Sequence, residues 1–165
     1  MKTGDVTLEA LATDLGRRLK AAGLMAAVAE SCTGGWIAKA LTDVPGSSGW
    51  FERGFVTYSD EAKQAMLGVR AATLGQHGAV SEAVVREMAE GAASWSRAQV
   101  TVAVSGIAGP DGGTPEKPVG LVWIAWRAAS GEVTAREFSF KGDRDSVRFQ
   151  AVLAALEGLR DGLSD

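Results

Sequence analysis

Two short turns in this chain place hydroxyls and glycines directly after apolar runs. The first is Ala29-Glu30-Ser31-Cys32-Thr33-Gly34-Gly35, following Leu24–Val28. The second is Ser105-Gly106-Ile107-Ala108-Gly109-Pro110-Asp111-Gly112-Gly113-Thr114, following Val100–Val104. A serine at a strand-to-helix turn can be held open, with backbone N–H groups of the next helix aimed at its substrate. That is nucleophile geometry. Ligands of α/β sheets sit at the carboxyl ends of strands, and two such ends can be neighbours. One pocket drawing on both turns is therefore expected.

Each candidate has a plainer reading beside it. Ser31 or Thr33 can simply cap the helix that follows. The first turn lacks the glycine at position 29 that a nucleophile elbow requires, and no Gly-Lys-Ser/Thr follows to make a phosphate-binding Walker loop. A serine needs a base. The single histidine, His77, lies between glycines in a connector, where a turn or surface role is commoner. Lys63 is the next candidate, in Ser-Lys style. It lies about one helical turn beyond Tyr58, the only tyrosine, if a helix begins near Ser59. The plain alternative is a solvated helix lysine. Cys32 is a rival nucleophile beside a helix N-terminus, or a small buried filler. Glu30 can take a polar role or cap the turn. Arg144 opens the last helix, against the helix dipole, so an anion such as a phosphate can hold it there; an ion pair with Asp143 or Asp145 is the alternative. One histidine, one cysteine and scattered carboxylates give no metal-ligand spacing, and no metal is expected.

The surrounding pattern supplies the elements that must position these groups. Leu8, Leu11, Leu15 and Leu19 mark a helix with Thr7 as N-cap and Gly23 as its stop. Met25–Ala29 reads as a buried strand, Gly34–Thr42 as a helix, Gly54–Tyr58 as a strand and Ser59–Leu67 as a short helix. Thr73–Val80 reads as a connector. Ser81 caps a helix whose buried face carries Val84, Val85, Met88, Ala92 and Trp95. Val100–Val104 reads as a central strand. Asp111–Pro118 is a loop, and Val119–Arg127 with Glu132–Phe140 form an antiparallel hairpin. Phe149, Val152, Leu153, Leu156 and Leu159 stripe a final helix entered through Asp143-Arg144-Asp145. The expected fold is three-layer α/β, a mixed, mostly parallel sheet with helices on both faces and the hairpin near the C-terminus.

At 165 residues and 46% hydrophobic content the chain suits one domain over residues 1–165, with a sizeable core. The formal net charge of −3, with no basic block, argues against a nucleic-acid surface. One cysteine excludes an internal disulfide and suits a reducing compartment. No apolar stretch approaches a membrane span, so no membrane contact and a cytoplasmic location are expected.

Seven ordered blocks run along the chain. They are 29–35; Gly46-Ser47-Ser48, Trp50-Phe51 and Gly54-Phe55-Val56-Thr57-Tyr58-Ser59; Ala62-Lys63; His77-Gly78-Ala79-Val80-Ser81; 105–113; Lys117-Pro118-Val119-Gly120; and Gly142-Asp143-Arg144. This series resembles the CinA C-terminal domain family, from about Leu8 to Leu159. The resemblance implies hydrolysis of the carboxamide of nicotinamide mononucleotide to nicotinate mononucleotide and ammonia, without metal or organic cofactor. It implies a nucleophile at Ser31, assisted by Tyr58 and Lys63; Ser105 is expected to hydrogen-bond Ser31 or Lys63 in the floor of the site. Glu30, Thr33, Gly34, Gly35, Gly109, Asp111, Gly112 and Arg144 are the expected substrate contacts, Arg144 taking the 5′-phosphate. The expected partner is thus a small pyridine nucleotide. The companion domain of the long competence/damage-inducible proteins is not expected here. Self-association is expected from the resemblance and from tryptophans exposed on the Trp123/Trp126 strand. Two other readings are a nucleotide-binding module without catalysis and a Ser-Lys amidohydrolase for another amide.

Overall fold

The computed structural model describes residues 3–163. The chain opens with α1 (Thr3–Ala22), β1 (Ala26–Glu30) and α2 (Trp36–Thr42). Next come β2 (Phe51–Val56), α3 (Asp60–Leu67), α4 (Ala71–His77) and α5 (Glu82–Ser94). It closes with β3 (Val100–Gly106), β4 (Leu121–Arg127), β5 (Val133–Ser139) and α6 (Arg144–Asp161). The five strands lie in the order β2-β1-β3-β4-β5. β2, β1 and β3 are parallel neighbours, and β4 runs against both β3 and β5. Four strands therefore share one direction.

Helices cover both faces. On one, α1, α2 and α6 bury Leu15, Leu19, Ile37, Leu41, Val152 and Leu156 against Val28, Val102, Val104 and Ile124. On the other, α5 sets Val85, Met88 and Ala92 over Ala29, Ala103 and Ala125. Small strand residues on that face let α5 approach closely, and Thr101 donates to the Ala89 carbonyl at 2.8 Å. α3 is held just as closely: a Cβ at Gly91 of α5 would lie 2.0 Å from the Leu67 carbonyl oxygen at the end of α3. Burial of each Leu, Val or Met contributes on the order of 1.5–3 kcal/mol, so the two clusters fix the sheet and hence the spacing of its strand ends.

Several expectations are corrected. Thr7 lies inside α1 rather than capping it, because the helix begins four residues earlier, at Thr3. β1 and β2 are displaced from their expected limits, since β2 begins at Phe51 and ends before Thr57. The connector over 73–80 contains most of α4, a short helix without a hydrophobic stripe long enough to read. Trp95 ends α5 outside its buried face and is 62% exposed. Trp126 is buried, with its indole N–H on the Ala155 carbonyl at 2.9 Å, and Trp123 packs against the α5 cluster. The tryptophans of β4 therefore form no exposed face.

Candidate active site

The parallel register brings three strand ends together. Ser31 N–H donates to the Val104 carbonyl at 3.1 Å, which sets Ser31 next to Ser105. Thr57 N–H donates to the Glu30 carbonyl at 2.8 Å, which sets Thr57 and Tyr58 on the other side. The first two residues after β1 thus sit between the carboxyl ends of β2 and β3.

The turn after β1 has an unusual support. Gly34 (φ 59°) and Gly35 (φ 101°) take left-handed conformations that suit glycine, and Gly35 begins α2 without any side-chain cap. Neither Ser31 nor Thr33 caps α2. The buried carboxylate of Glu30 does that work from the end of the strand. It accepts from Ile37 N–H at 2.8 Å, Ala38 N–H at 3.0 Å and the Thr33 hydroxyl at 2.7 Å. A negative charge at a helix N-terminus is favourable, and here it also ties down the Ser31 turn. Glu30 and Thr33, both 0% exposed, are thereby turned into the protein rather than toward a ligand.

Ser31 is left free of that duty. Lys63 reaches it from the first turn of α3, whose start is fixed by Ser59 accepting from Ala62 N–H at 3.0 Å. Lys63 is 1% exposed, and its Nζ lies 2.9 Å from Ser31 Oγ, 2.9 Å from the Thr57 carbonyl and 3.1 Å from the Tyr58 carbonyl. A carbonyl can only accept. A neutral amine therefore gives its two hydrogens to the two carbonyls and turns its lone pair to the serine hydroxyl. Burial pushes the Lys63 pKa down, opposed by the charge of Asp60. The arrangement favours the form of lysine that can take a proton.

These groups open into a cavity of about 250 Å³ lined by Ser31, Cys32, Tyr58, Lys63, Ala79, Val80, Ser105, Gly106, Ala108 and Arg144. Ser105 is buried in its wall but bonds neither Ser31 nor Lys63. Cys32 also reaches the cavity, and burial raises its thiol to about 11, which disfavours the thiolate. Tyr58 contributes its carbonyl to Lys63; the residue as a whole is 64% exposed. The Tyr58 hydroxyl lies 3.5 Å from Arg144 Nη2. Arg144 Nη1 donates to the Gly109 carbonyl at 2.7 Å, so the arginine is held by the second turn and not by Asp143 or Asp145. Instead Asp143 caps α6, accepting from Ser146 N–H at 2.9 Å.

Not every expected residue meets the cavity. Gly34 and Gly35 line a neighbouring hollow with Arg148 and Lys39. Gly109 acts through its carbonyl on Arg144, and Asp111 and Gly112 are exposed outside the cavity wall. His77 ends α4, exposed and away from the wall, with its carbonyl accepting from Lys117. Among the described residues no group of His, Cys, Asp or Glu could hold a metal ion. A larger cavity of about 400 Å³ lies at the β4–β5 turn, with Trp126, Glu132, Arg136 and Leu163 in its wall; its one hydroxyl, Thr134, has no lysine or histidine beside it in the lining. Arg148, which grips the Ser31 turn, was not legible in the sequence. Its signal is its spacing of four residues from Arg144, one helical turn along the same face.

Comparison with known proteins gives consistent results. The sequence profile of the CinA C-terminal domain matches residues 8–163. The chain is 59% identical over 155 residues to nicotinamide-nucleotide amidohydrolase PncC of Escherichia coli K12, covering 94% of each. It is 55% identical over 149 residues to the protein of the same name from Pseudomonas putida, covering 90% of this chain and 92% of the relative. The crystal structure of the competence/damage inducible protein CihA from Agrobacterium tumefaciens superposes with a TM-score of 0.94 at 47% identity, covering 98% of both chains.

Proposed function

The chain belongs to the CinA C-terminal domain family, and we propose that it is a nicotinamide-nucleotide amidohydrolase working through Ser31 and Lys63. The observation that carries this reading is the buried Lys63 amine, 2.9 Å from Ser31 Oγ and otherwise surrounded by carbonyls. The relatives named PncC, at 55–59% identity over most of both chains, support the substrate.

The steps follow from the geometry. Ser31 Oγ attacks the carboxamide carbon while its proton passes to Lys63 Nζ. The pyridinium ring of nicotinamide mononucleotide withdraws electrons and makes this amide a better electrophile. The tetrahedral oxyanion needs N–H donors from the Ser31 turn. Collapse expels the amide nitrogen, which takes the proton from Lys63 and leaves as ammonia. Water then attacks the acyl-serine with Lys63 again accepting its proton, releasing nicotinate mononucleotide and restoring Ser31. Arg144 and the Tyr58 hydroxyl stand at the mouth, where the ribose phosphate would lie. Ammonia release from nicotinamide mononucleotide, with nicotinamide and its riboside as comparisons, tests the proposal. Turnover of the mononucleotide far above the other two is expected. A folded protein that binds the mononucleotide and frees no ammonia would instead be a binding module.

A further inference from the structure

Along a β-strand, backbone N–H and C=O groups point alternately to the two neighbouring strands. Ser31 N–H on the Val104 carbonyl fixes this alternation at the end of β3: its even-numbered residues face β1. Ile107 agrees, since its N–H donates to the Leu121 carbonyl on the β4 side at 2.9 Å. The Gly106 N–H therefore points to the β1 side, one ladder repeat beyond Val104. Its regular acceptor there would be the Ser31 carbonyl. That carbonyl is taken instead by the Gly34 N–H at 3.1 Å, as the chain turns away after β1. The Gly106 N–H is left with no acceptor among the described residues.

This orphaned donor is open to the site. Gly106 is half-buried and lines the Ser31 cavity. It flanks Ser31 on the β3 side, whereas Lys63 Nζ reaches Ser31 Oγ from the β2 side. A carbonyl attacked by Ser31 thus meets a base on one flank and a backbone donor on the other. Gly106 is also held firmly: a Cβ there would lie 2.6 Å from Val122 Cγ2 and 3.0 Å from the Leu121 carbonyl oxygen. A donor fixed in advance needs no reorganisation when charge develops.

We propose that the Gly106 N–H receives the oxyanion when Ser31 attacks, adding a donor from the end of β3 to those of the Ser31 turn. The bond formed is Ser31 Oγ to carbonyl carbon. The C=O π pair moves onto oxygen beside the Gly106 N–H, and the serine proton goes to Lys63. On collapse the pair returns to re-form C=O, and the amide nitrogen leaves with the proton from Lys63. The inference rests on the serine-amidohydrolase reading of the same site.

Exchanging Gly106 for glycolic acid by cell-free translation puts an ester oxygen where the N–H stood and adds no Cβ. The control exchanges Val102 for its 2-hydroxy acid, because the Val102 N–H faces β1 inside the ladder. For nicotinamide mononucleotide, the Gly106 ester is expected to lower kcat by about 10²-fold or more with KM changed by less than about threefold. The Val102 ester is expected to melt at a lower temperature than the Gly106 ester and to keep kcat within about threefold of wild type. Wild-type kcat in the Gly106 ester, a loss confined to KM, or equal kcat losses in both esters overturns the proposal. Should the esters not fold, wild-type protein answers by NMR. Labelling with 13C-serine and 15N-glycine selects the pairs Ser48-Gly49, Ser105-Gly106 and Ser130-Gly131. The probe is the 3-formyl analogue of nicotinamide mononucleotide, whose hemiacetal with Ser31 sets an oxygen in the oxyanion position. The Gly106 amide proton is expected to move downfield as the hemiacetal forms, with Gly49 and Gly131 unmoved. A Gly106 amide that stays in place while Ser31 carries the hemiacetal overturns the proposal. Both esters are also read on p-nitrophenyl acetate, with the Ser31→Ala rate subtracted. A wild type that cleaves this ester through Ser31 but not the nucleotide sinks the substrate assignment alone, and the acetate kinetics still decide the role of Gly106.

Discussion

Ser31 and Lys63 should behave as one device, and a double-mutant cycle measures this. Lys63 Nζ has three neighbours, and only Ser31 Oγ, at 2.9 Å, can give up a proton. Without that hydroxyl there is no proton to pass to the leaving nitrogen and no acyl-serine to hydrolyse, so every catalytic effect of the amine depends on Ser31. Losing a general base costs about 10²–10⁴-fold, and losing a serine nucleophile at least about 10³-fold. Were the two independent, Ser31→Ala/Lys63→Met would lose at least about 10⁵-fold, or about 7 kcal/mol. The geometry instead predicts a double variant no slower than Ser31→Ala, a coupling of at least about 3 kcal/mol. The assay is ammonia release from nicotinamide mononucleotide, read by coupled NADH oxidation, with kcat and KM separated. A double variant whose loss equals the product of the single losses would refute the reasoning, because Lys63 would then act on something other than Ser31.

The same lysine gives a pH signature in stability. Its folded pKa lies below 10.5, so between the two values the unfolded chain binds the extra proton and stability rises with pH. Urea unfolding should show wild type gaining on Lys63→Met as the pH approaches 10.5 from below; a flat or falling difference there contradicts the buried amine. Arg144→Ala should raise KM for the mononucleotide by about tenfold or more while kcat stays within about threefold, and should erode the preference over the riboside. Equal effects on mononucleotide and riboside would remove Arg144 from phosphate recognition. Glu30→Gln sets an amide donor against either the Ala38 N–H or the Ile37 N–H and Thr33 hydroxyl, and should cost about 2–4 kcal/mol in urea unfolding. A loss below about 0.5 kcal/mol would show that the carboxylate does not hold the turn.

Much of the fold was legible because periodicity and punctuation agreed. The leucine stripe of α1, Ser81 before α5 and the uninterrupted Val100–Val104 run each named its element. Residues 73–80 failed because α4 is short and tied down by packing, which no local pattern records. For the site, hydroxyls and glycines after apolar runs located Ser31 and Ser105, and parallel pairing then made them neighbours. Lys63 could be named but not favoured over a solvated lysine. What distinguishes it is burial on the Thr57 and Tyr58 carbonyls, a matter of where β2 ends beside β1. Glu30 was misplaced for a related reason: a carboxylate three residues from a threonine reads equally as ligand contact or brace, and only the course of α2 decides.

The choice of lysine fits the charge of the proposed substrate. No carboxylate lines the Ser31 cavity, so a protonated Lys63 there would be desolvated with only the Asp60 charge outside the cavity wall to offset it. A pyridinium ring arriving beside it adds a like charge and disfavours the ammonium further. Binding and base activation then become one equilibrium. By reciprocity, the substrate stabilises the neutral amine by as much as the neutral amine favours the substrate. Two backbone carbonyls are well suited to this task. They fix the direction of the lone pair, as the third member of a side-chain triad would. A carboxylate in their place would bring a full negative charge and hold the lysine protonated. The carboxyl end of β2 thus does more than carry Tyr58 to the cavity: its two carbonyls set the aim of the base, while burial disfavours its charged form.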